Sequence, residues 1–342
     1  MRKVEYLLPF FIIAVGVSLL YSCRKGNSTY TIPEFPPTTV FDSITDMTPA
    51  YAKGFKVTYL SDGTPLVDIV NPQADGTAAD TFRLALVRPS HHPDIPEGYR
   101  RLSVPISSAV CTSASQVSFF VGLDSLDIIK GITGAREQHT ETVRKRIENG
   151  NMEIIGTETS PDISLIKRLS PDVVLATPQF FNNKSVGDSQ LTLIPIYSAY
   201  ESHPLAQAEW IKLVAILIGK EDGGSDFFGK AEQNYNNAKV STLEVRSRPP
   251  IRLAVNENGS WKELGKEYFT ETFATDAGAL CQQAPKGSVP VRITYRQGFI
   301  DFEESATVSP DAVLKDLVSI IHPEVIPKDS VWVRRFFNDV IK

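Results

Sequence analysis

Between Arg100 and Asp222, short strand-like runs alternate with helical ones, and this alternation constrains the fold more than any other feature. Leu102–Ile106, Ile128–Thr133, Met152–Ile155, Val173–Ala176 and Leu193–Tyr197 are aliphatic, partly β-branched and too short for helices. Between them, Ala114–Val121 reads as a helix ended by Gly122, and Glu141–Glu148 as a charged helix ending near Gly150. Ser160-Pro161-Asp162 opens a third: Ser caps, Pro fits the first turn and Asp complements the dipole. A strong helix starts at Pro204, with Trp210, Leu213, Val214, Leu217 and Ile218 on one face, and stops at Gly219. Repeated β-α units predict a parallel sheet covered by helices.

A long helix follows, from about Ser225 to Arg246. Phe228, Ala231, Tyr235, Ala238 and Thr242 form its apolar stripe, and Pro249-Pro250 stops it. A second α/β segment begins at strand Ile251–Val255. It continues through a helix over Tyr268–Ala277 to a last helix opened by Ser309-Pro310-Asp311. Upstream lies a β-rich preface. Phe55–Leu60 and Pro65–Val70 flank an Asp62-Gly63 turn and read as a hairpin, with Thr81–Val87 as a third strand. The predicted fold class is α/β: two Rossmann-like lobes joined by one long helix, with a small N-terminal β preface. Fewer residues follow Pro250 than lie between Arg100 and Asp222, so the second lobe is expected to be short and truncated.

Arg2 and Lys3 precede the apolar run Leu7–Leu20, which contains Pro9 and Gly16 and is too short for a comfortable membrane span. A charged start before a short apolar core is the pattern of an export signal. Leu20-Tyr21-Ser22-Cys23 resembles the lipobox of bacterial lipoproteins. That resemblance implies cleavage before Cys23 and a diacylglycerol on its thiol, the one covalent group expected. Arg24–Thr39 is polar and Pro-bearing, as a flexible tether is. The expected organisation is a signal at 1–22, a tether at 23–50, the preface at 51–99, the N-terminal lobe at 100–222, the linking helix at 223–248 and the C-terminal lobe at 249–342. The chain is thus expected to be exported and lipid-anchored to a cell-envelope membrane, on the periplasmic face. Of three cysteines, Cys111 and Cys281 fall in different lobes and read as buried small side chains.

Several chemistries are disfavoured. A formal charge of −5 does not suit nucleic acid as a partner. No Gly-x-Gly-x-x-Gly, Walker-type loop or Gly-x-Ser-x-Gly elbow occurs, so a lipid-anchored hydrolase has no motif behind it. The five histidines show no metal-ligand spacing; His91-His92 reads as surface loop and His139-Thr140-Glu141 as part of a charge run. Neither an enzyme nor a metal centre is predicted.

The ordered series of segments is similar to the substrate-binding proteins of bacterial ABC importers. The likeness is greatest to the group with a rigid helical backbone that takes up iron–siderophores, haem and cobalamin. Gly122-Leu-Asp-Ser-Leu-Asp-Ile-Ile-Lys-Gly-Ile132, Glu153-Ile-Ile-Gly156, and Pro161-Asp-Ile-Ser-Leu-Ile-Lys-Arg-Leu-Ser-Pro-Asp-Val-Val-Leu-Ala176 carry it. His203–Ile211, Ser309–Leu317 and His322-Pro-Glu324 resemble the Bacteroides-type branch. The resemblance implies a monomer that captures a metal chelate in a cleft between the lobes and hands it to an ABC permease and its ATPase. Loops at the carboxyl ends of the strands then hold the ligand. The residues expected there are Ser108 and Thr112 after the first strand, Arg136 after the second, Thr159 after the third, and Gln179, Phe180 and Phe181 after the fourth, with Trp261 facing them from the second lobe. Arg136 would pair with ligand carboxylates or phosphate, and the aromatics would pack on a macrocycle. Two departures stand out. The first-lobe glutamate that docks such proteins on their permease has no counterpart in Pro178–Asn183. The short second lobe lacks the place of the other. The alternative is a degenerate paralogue acting as a protein-interaction or accessory lipoprotein.

Overall fold

The computed structural model describes residues 45–74, 81–135, 139–187, 189–257, 260–265, 269–281, 289–293, 304–326 and 337–340. The expected signal, Cys23 and residues 24–44 lie outside them, as does Arg136.

Strands β1 (Phe55–Tyr59), β2 (Pro65–Ile69), β3 (Phe82–Val87) and β4 (Arg100–Ser103) form a four-stranded sheet in that order. The β1–β2 hairpin pairs Tyr59 with Pro65 and Phe55 with Ile69, and Asp62 Oδ1 accepts the Thr64 amide at 2.9 Å across the turn. Phe55 and Val57 point into the core while Lys56 and Thr58 face out, the alternation of a one-sided sheet. Strand β4 corrects the expected start of the first lobe. It runs parallel to β3 in the preface sheet, and the chain leaves it at Ser103, before Pro105. Pro105 lacks an N–H for a ladder, so the aliphatic run Leu102–Ile106 does not continue as one strand.

The first lobe therefore begins at β5 (Ala109–Cys111). Helix α1 (Ala114–Gly122), β6 (Ile129–Ile132), α2 (Glu141–Glu148), β7 (Glu153–Ile154), α3 (Ile163–Leu169) and β8 (Val173–Ala176) follow. Two short helices, α4 (Pro178–Phe181) and α5 (Lys184–Gly187), precede β9 (Leu193–Pro195), α6 (Pro204–Glu209) and α7 (Ile211–Ile218). All five strands are parallel, in the order β7-β6-β5-β8-β9. The chain steps outward from β5 to β7 and then crosses to the other side of β5. The order reverses there, which opens a crevice at the carboxyl ends of the strands.

Two local readings change. Asp162, not Ser160, caps α3, its Oδ1 accepting the Leu165 amide at 2.8 Å. The predicted helix from Pro204 is two helices meeting at Trp210. At that break Glu209 and Trp210 turn toward the segment preceding β1. The fully buried Glu209 carboxylate accepts the amides of Ala50, Tyr51 and Ala52 at 2.8, 2.7 and 2.9 Å. Glu201 accepts the amides of Lys53 and Gly54 and the Trp210 indole N–H at 3.1, 2.8 and 3.0 Å. Met47 is fully buried, so residues 45–50 belong to the folded body and not to a tether.

Helix α8 (Glu221–Ser241) links the lobes and packs on α7. It starts and ends earlier than the expected Ser225–Arg246 and takes in Gly223-Gly224. A Cβ on Gly224 would lie 2.4 Å from the Ala215 Cβ, so glycine is what lets the two helices approach. The second lobe holds β10 (Pro250–Glu257), β11 (Ser260–Glu263), α9 (Thr270–Asp276), β12 (Leu280–Cys281), β13 (Val289–Ile293), α10 (Pro310–Ile321) and β14 (Phe337–Val340). Its sheet runs β11-β10-β13-β14, with β12 also on β10. β12 and β13 are parallel to β10, while β11 and β14 run antiparallel to their neighbours. Among the described residues, helices α9 and α10 accompany it, with a short helical stretch over residues 304–308, against seven helices in the first lobe. One apolar core runs from Phe55 in the preface through Trp210 and Leu213 to Tyr235 on α8 and Phe273 and Leu317 in the second lobe. Each fully buried aliphatic or aromatic side chain in it stabilises the fold by roughly 1.5–3 kcal/mol.

Candidate functional site

The loops that leave β5, β6 and β7 at their carboxyl ends enclose a cavity of about 430 Å³. That is the size and place of a small-molecule site in an open α/β sheet. Ser113, Ala114 and Ser115 line it from the first loop, Thr133, Gly134 and His139 from the second, and Thr157, Glu158 and Thr159 from the third.

The walls are built by hydrogen bonds among the loops. Thr133 Oγ1 donates to the Thr112 carbonyl at 2.7 Å, tying β6 to β5. The Gly134 amide donates to the Gly156 carbonyl at 2.9 Å, tying the second loop to the third. Ser113 and Ser115 hydroxyls lie 3.0 Å apart and Thr157 and Thr159 hydroxyls 3.3 Å apart. The wall is therefore rich in hydroxyls that serve as donors or acceptors. Glu158 is half-buried; burial pushes its carboxyl up, against a hydrogen bond from Thr177. His139 is buried, with Nε2 facing the Thr133 carbonyl at 3.2 Å. Glu304, from the second lobe, accepts the Thr140 hydroxyl at 2.6 Å and the Thr140 amide at 3.1 Å. This caps α2 and pins the wall from across the chain.

Of the predicted ligand residues, Thr159 lines this cavity. Ser108 does not: it precedes β5, at the opposite end of the sheet, where its amide donates to Asp172 Oδ2 at 3.0 Å and its hydroxyl accepts the Asp172 amide. The shifted first strand explains the error, since the true first loop begins at Thr112. Thr112 itself is fully buried. Its Oγ1 accepts the Thr177 amide at 2.8 Å and its amide donates to Gln116 Oε1 at 2.7 Å, so it braces the loop from behind. Phe180 is fully buried in an apolar cluster with Val110, Ile166 and Val174, a core residue and not a ligand platform. Phe181 packs edge-on to Phe82 of the preface, ring centroids 6.1 Å apart. Gln179 is exposed and does not line the cavity. Trp261 lies on β11 opposite Asn256; its side chain is outside the described residues, as is the whole of Arg136. Sequence reasoning does not point to Ser113, Ser115, Thr133, Thr157 or Glu158, and it reads His139 only as part of a charge run. Hydroxyl residues counted from the true strand ends, Ile132 and Cys111, include Thr133 and Ser113; the predicted strands, displaced by one or more residues, do not single them out.

A second cavity, of about 470 Å³, lies between the loop after β9 and the start of α9. It is lined by Gln73, Tyr200, Glu201 and Ser202 and by Phe269, Glu271 and Thr272 of the second lobe. Among the described residues no group of three or more His, Cys, Asp or Glu stands ready to hold a metal ion, and no helix is long and apolar enough to cross a membrane.

No family model matches the chain. It is 20% identical over 174 residues to an uncharacterized lipoprotein of Methanocaldococcus jannaschii, covering 48% of this chain. The match spans only 41% of that curated relative. A periplasmic binding protein from Veillonella parvula is similar in structure at a TM-score of 0.50 and 10% identity, over 66% of this chain and 87% of that one. A periplasmic haem-binding protein from Pseudomonas aeruginosa aligns at a TM-score of 0.49 and 11% identity, over 69% and 99% of the two chains. A possible iron-binding, periplasmic solute-binding protein from Staphylococcus epidermidis aligns at 0.46 and 14% identity, over 66% and 100%. The chain has the two-lobed α/β fold of periplasmic binding proteins.

Proposed function

We propose that this protein is the substrate-binding component of an ABC importer that captures a metal chelate (an iron–siderophore, haem or cobalamin) and delivers it to the permease. The observation that carries the reading is the cavity at the carboxyl ends of β5, β6 and β7, in a lobe joined to a second one by the single helix α8. A continuous core beneath both lobes supports small closure motions, because a shared core resists hinge bending. In this reading Cys23 bears a diacylglycerol that anchors the protein to a cell-envelope membrane with the folded body on the periplasmic face.

A second reading is favoured by one observation. The segment Pro178–Asn183, where a docking glutamate is expected, offers Gln179, Asn182 and Asn183 and no carboxylate. An accessory lipoprotein that binds a protein partner fits that absence.

Titration of the purified protein with haemin, cyanocobalamin and a ferric trihydroxamate, followed by absorbance and melting temperature, separates the two. A saturable rise in melting temperature with one chelate is expected, because a ligand bound only to the native state stabilises it. No shift with any of them would overturn the first reading. Cys23→Ser should leave the precursor unprocessed; a normally processed, membrane-bound variant refutes the anchor.

A further inference from the structure

The described residues that line the cavity at the carboxyl ends of β5, β6 and β7 all belong to the first lobe. The second lobe reaches that cavity indirectly, through the segment 304–308. Residues 306–308 pack against α1 and α6 of the first lobe, and Glu304, Thr307 and Val308 are buried. From this seat Glu304 meets the end of the loop that joins β6 to α2.

Thr140 is the N-cap of α2, but its side chain makes no bond back to the helix. Its hydroxyl and its amide donate to Glu304 instead, to Oε1 at 2.6 Å and to Oε2 at 3.1 Å. Hydrogen bonds to an ionised acceptor are the strong ones, and this pair fixes both the side chain and the backbone of Thr140. The preceding residue, His139, is 1% exposed and lines the cavity. Its ring lies between two oxygens: the Thr133 carbonyl is 3.2 Å from Nε2, and Glu304 Oε2 is 3.6 Å from Nδ1. A carbonyl only accepts, so Nε2 bears the hydrogen there. The ring is thus held by its own lobe on one side and by the second lobe on the other. Thr133, which takes that bond, also lines the cavity, and its hydroxyl donates to the Thr112 carbonyl. A chain of contacts runs from a buried second-lobe carboxylate to two lining residues. Without the carboxylate, the Thr140 amide and hydroxyl lose their acceptor and His139 loses one of its flanking oxygens. Such a loss acts on local opening of the wall, which has its own free energy apart from global unfolding.

We infer that Glu304 is a positioning residue for ligand capture: from the second lobe it sets His139 and Thr140, and with them the wall of a cavity that it does not line. Order in the wall and the seating of 304–308 are then one equilibrium. A ligand that needs the ordered wall favours the seated segment by the same free energy, because such coupling is reciprocal. The inference deepens the capture reading and rests on it for what fills the cavity.

The test joins hydrogen exchange to chelate titration on the full chain, purified in detergent. Wild type, Glu304→Ala, Glu304→Gln, Thr140→Val and Gly54→Ala are compared. Glutamine can keep both links: its carbonyl accepts the Thr140 amide and its NH2 donates to the Thr140 hydroxyl, which serves as donor or acceptor. Gly54→Ala strains the contact between the preface and Trp210 and touches no residue of the wall, so it lowers stability without disturbing the positioning. In the free protein, the amides of Thr140 and α2 should exchange at least tenfold faster in Glu304→Ala and several-fold faster in Thr140→Val. Glu304→Gln and Gly54→Ala should stay within about threefold of wild type there. Haemin, cyanocobalamin and a ferric trihydroxamate are then titrated. A chelate that binds wild type should bind Glu304→Ala at least tenfold more weakly and Glu304→Gln within about threefold, and should slow exchange at 304–308. Equal exchange in wild type and Glu304→Ala, or a change that Gly54→Ala matches, overturns the inference. So does a chelate that binds wild type and Glu304→Ala equally, and capture then stands without it. If the exchange pattern holds and none of the chelates binds, the positioning of the wall stands and chelate capture falls. If Glu304→Ala does not fold, Thr140→Val carries the comparison, and exchange in it equal to wild type overturns the inference.

Discussion

Glu209 and Lys212 form a buried ion pair one helical turn apart, Lys212 Nζ lying 2.8 Å from Glu209 Oε1. The same carboxylate holds the Ala50, Tyr51 and Ala52 amides, and the same ammonium reaches the Thr48 carbonyl at 3.2 Å. Removing the carboxylate leaves a buried cation without its counter-charge and three amides without their acceptor. Glu209→Ala is expected to cost about 3–5 kcal/mol of stability. Urea unfolding measures it, and Glu209→Gln, which keeps one acceptor, should lose less.

Gly54 sits under the Trp210 ring. A Cβ there would lie 2.5 Å from Trp210 Cζ2 and 3.0 Å from Glu201 Oε1. Gly54→Ala therefore overpacks a rigid site and should destabilise by roughly 1–3 kcal/mol. Combining it with Trp210→Phe, which shortens the ring, should recover part of the loss relative to the sum of the single changes, as a thermal double-mutant cycle would read.

His203 caps α6 through Nδ1, which accepts the Leu205 amide at 3.1 Å and must be unprotonated to do so. Burial holds the ring below its ordinary value, with Asp276 pulling it up and Lys239 pushing it down. An unfolded histidine titrates near about 6.5, so at and below that pH the unfolded chain binds a proton the native state refuses. This contribution to stability is present above about pH 7 and is lost as the pH falls through about 6.5. His203→Asn keeps a good cap and cannot titrate. Unfolding free energies across this range should fall less steeply with acid in the variant than in wild type; equal slopes would refute the assignment.

Phe180 and Phe181 adjoin in sequence and differ in role. Phe180→Ala empties a fully buried site and should cost about 3–5 kcal/mol. Phe181, half-buried against Phe82, should cost about 1 kcal/mol when truncated, the scale of an aromatic pair. Neither substitution should remove ligand binding in protein that remains folded. Loss of ligand binding in folded Phe180→Ala would return Phe180 to the site.

Most element types were legible because periodicity reports burial. Val173–Ala176 and Glu141–Glu148 coincide with β8 and α2, and the Asp62-Gly63 turn sets the β1–β2 register. The site was less legible. Ser108 and Thr112 follow Leu102–Ile106 in sequence, but that run belongs to another sheet, and the few residues between it and β5 place Ser108 at the opposite end of the lobe. Phe180 looks like a ligand platform only while its neighbours Ile166 and Val174 are unknown.

Local pattern was enough for what depends on neighbours in sequence. The β-α alternation, the long helix, the hairpin turn and the helix-ending prolines each follow from residues within one or two turns of each other. Only the tertiary structure decided what depends on partners far along the chain. Glu304 caps a helix 164 residues away, and Glu209 holds a segment more than 150 residues upstream. Glu201 and Trp210 close over Gly54. A carboxylate reads the same in a sequence whether it meets water or buried amides. The energetic difference arises only when folding removes the water, and that removal is a property of the packed molecule.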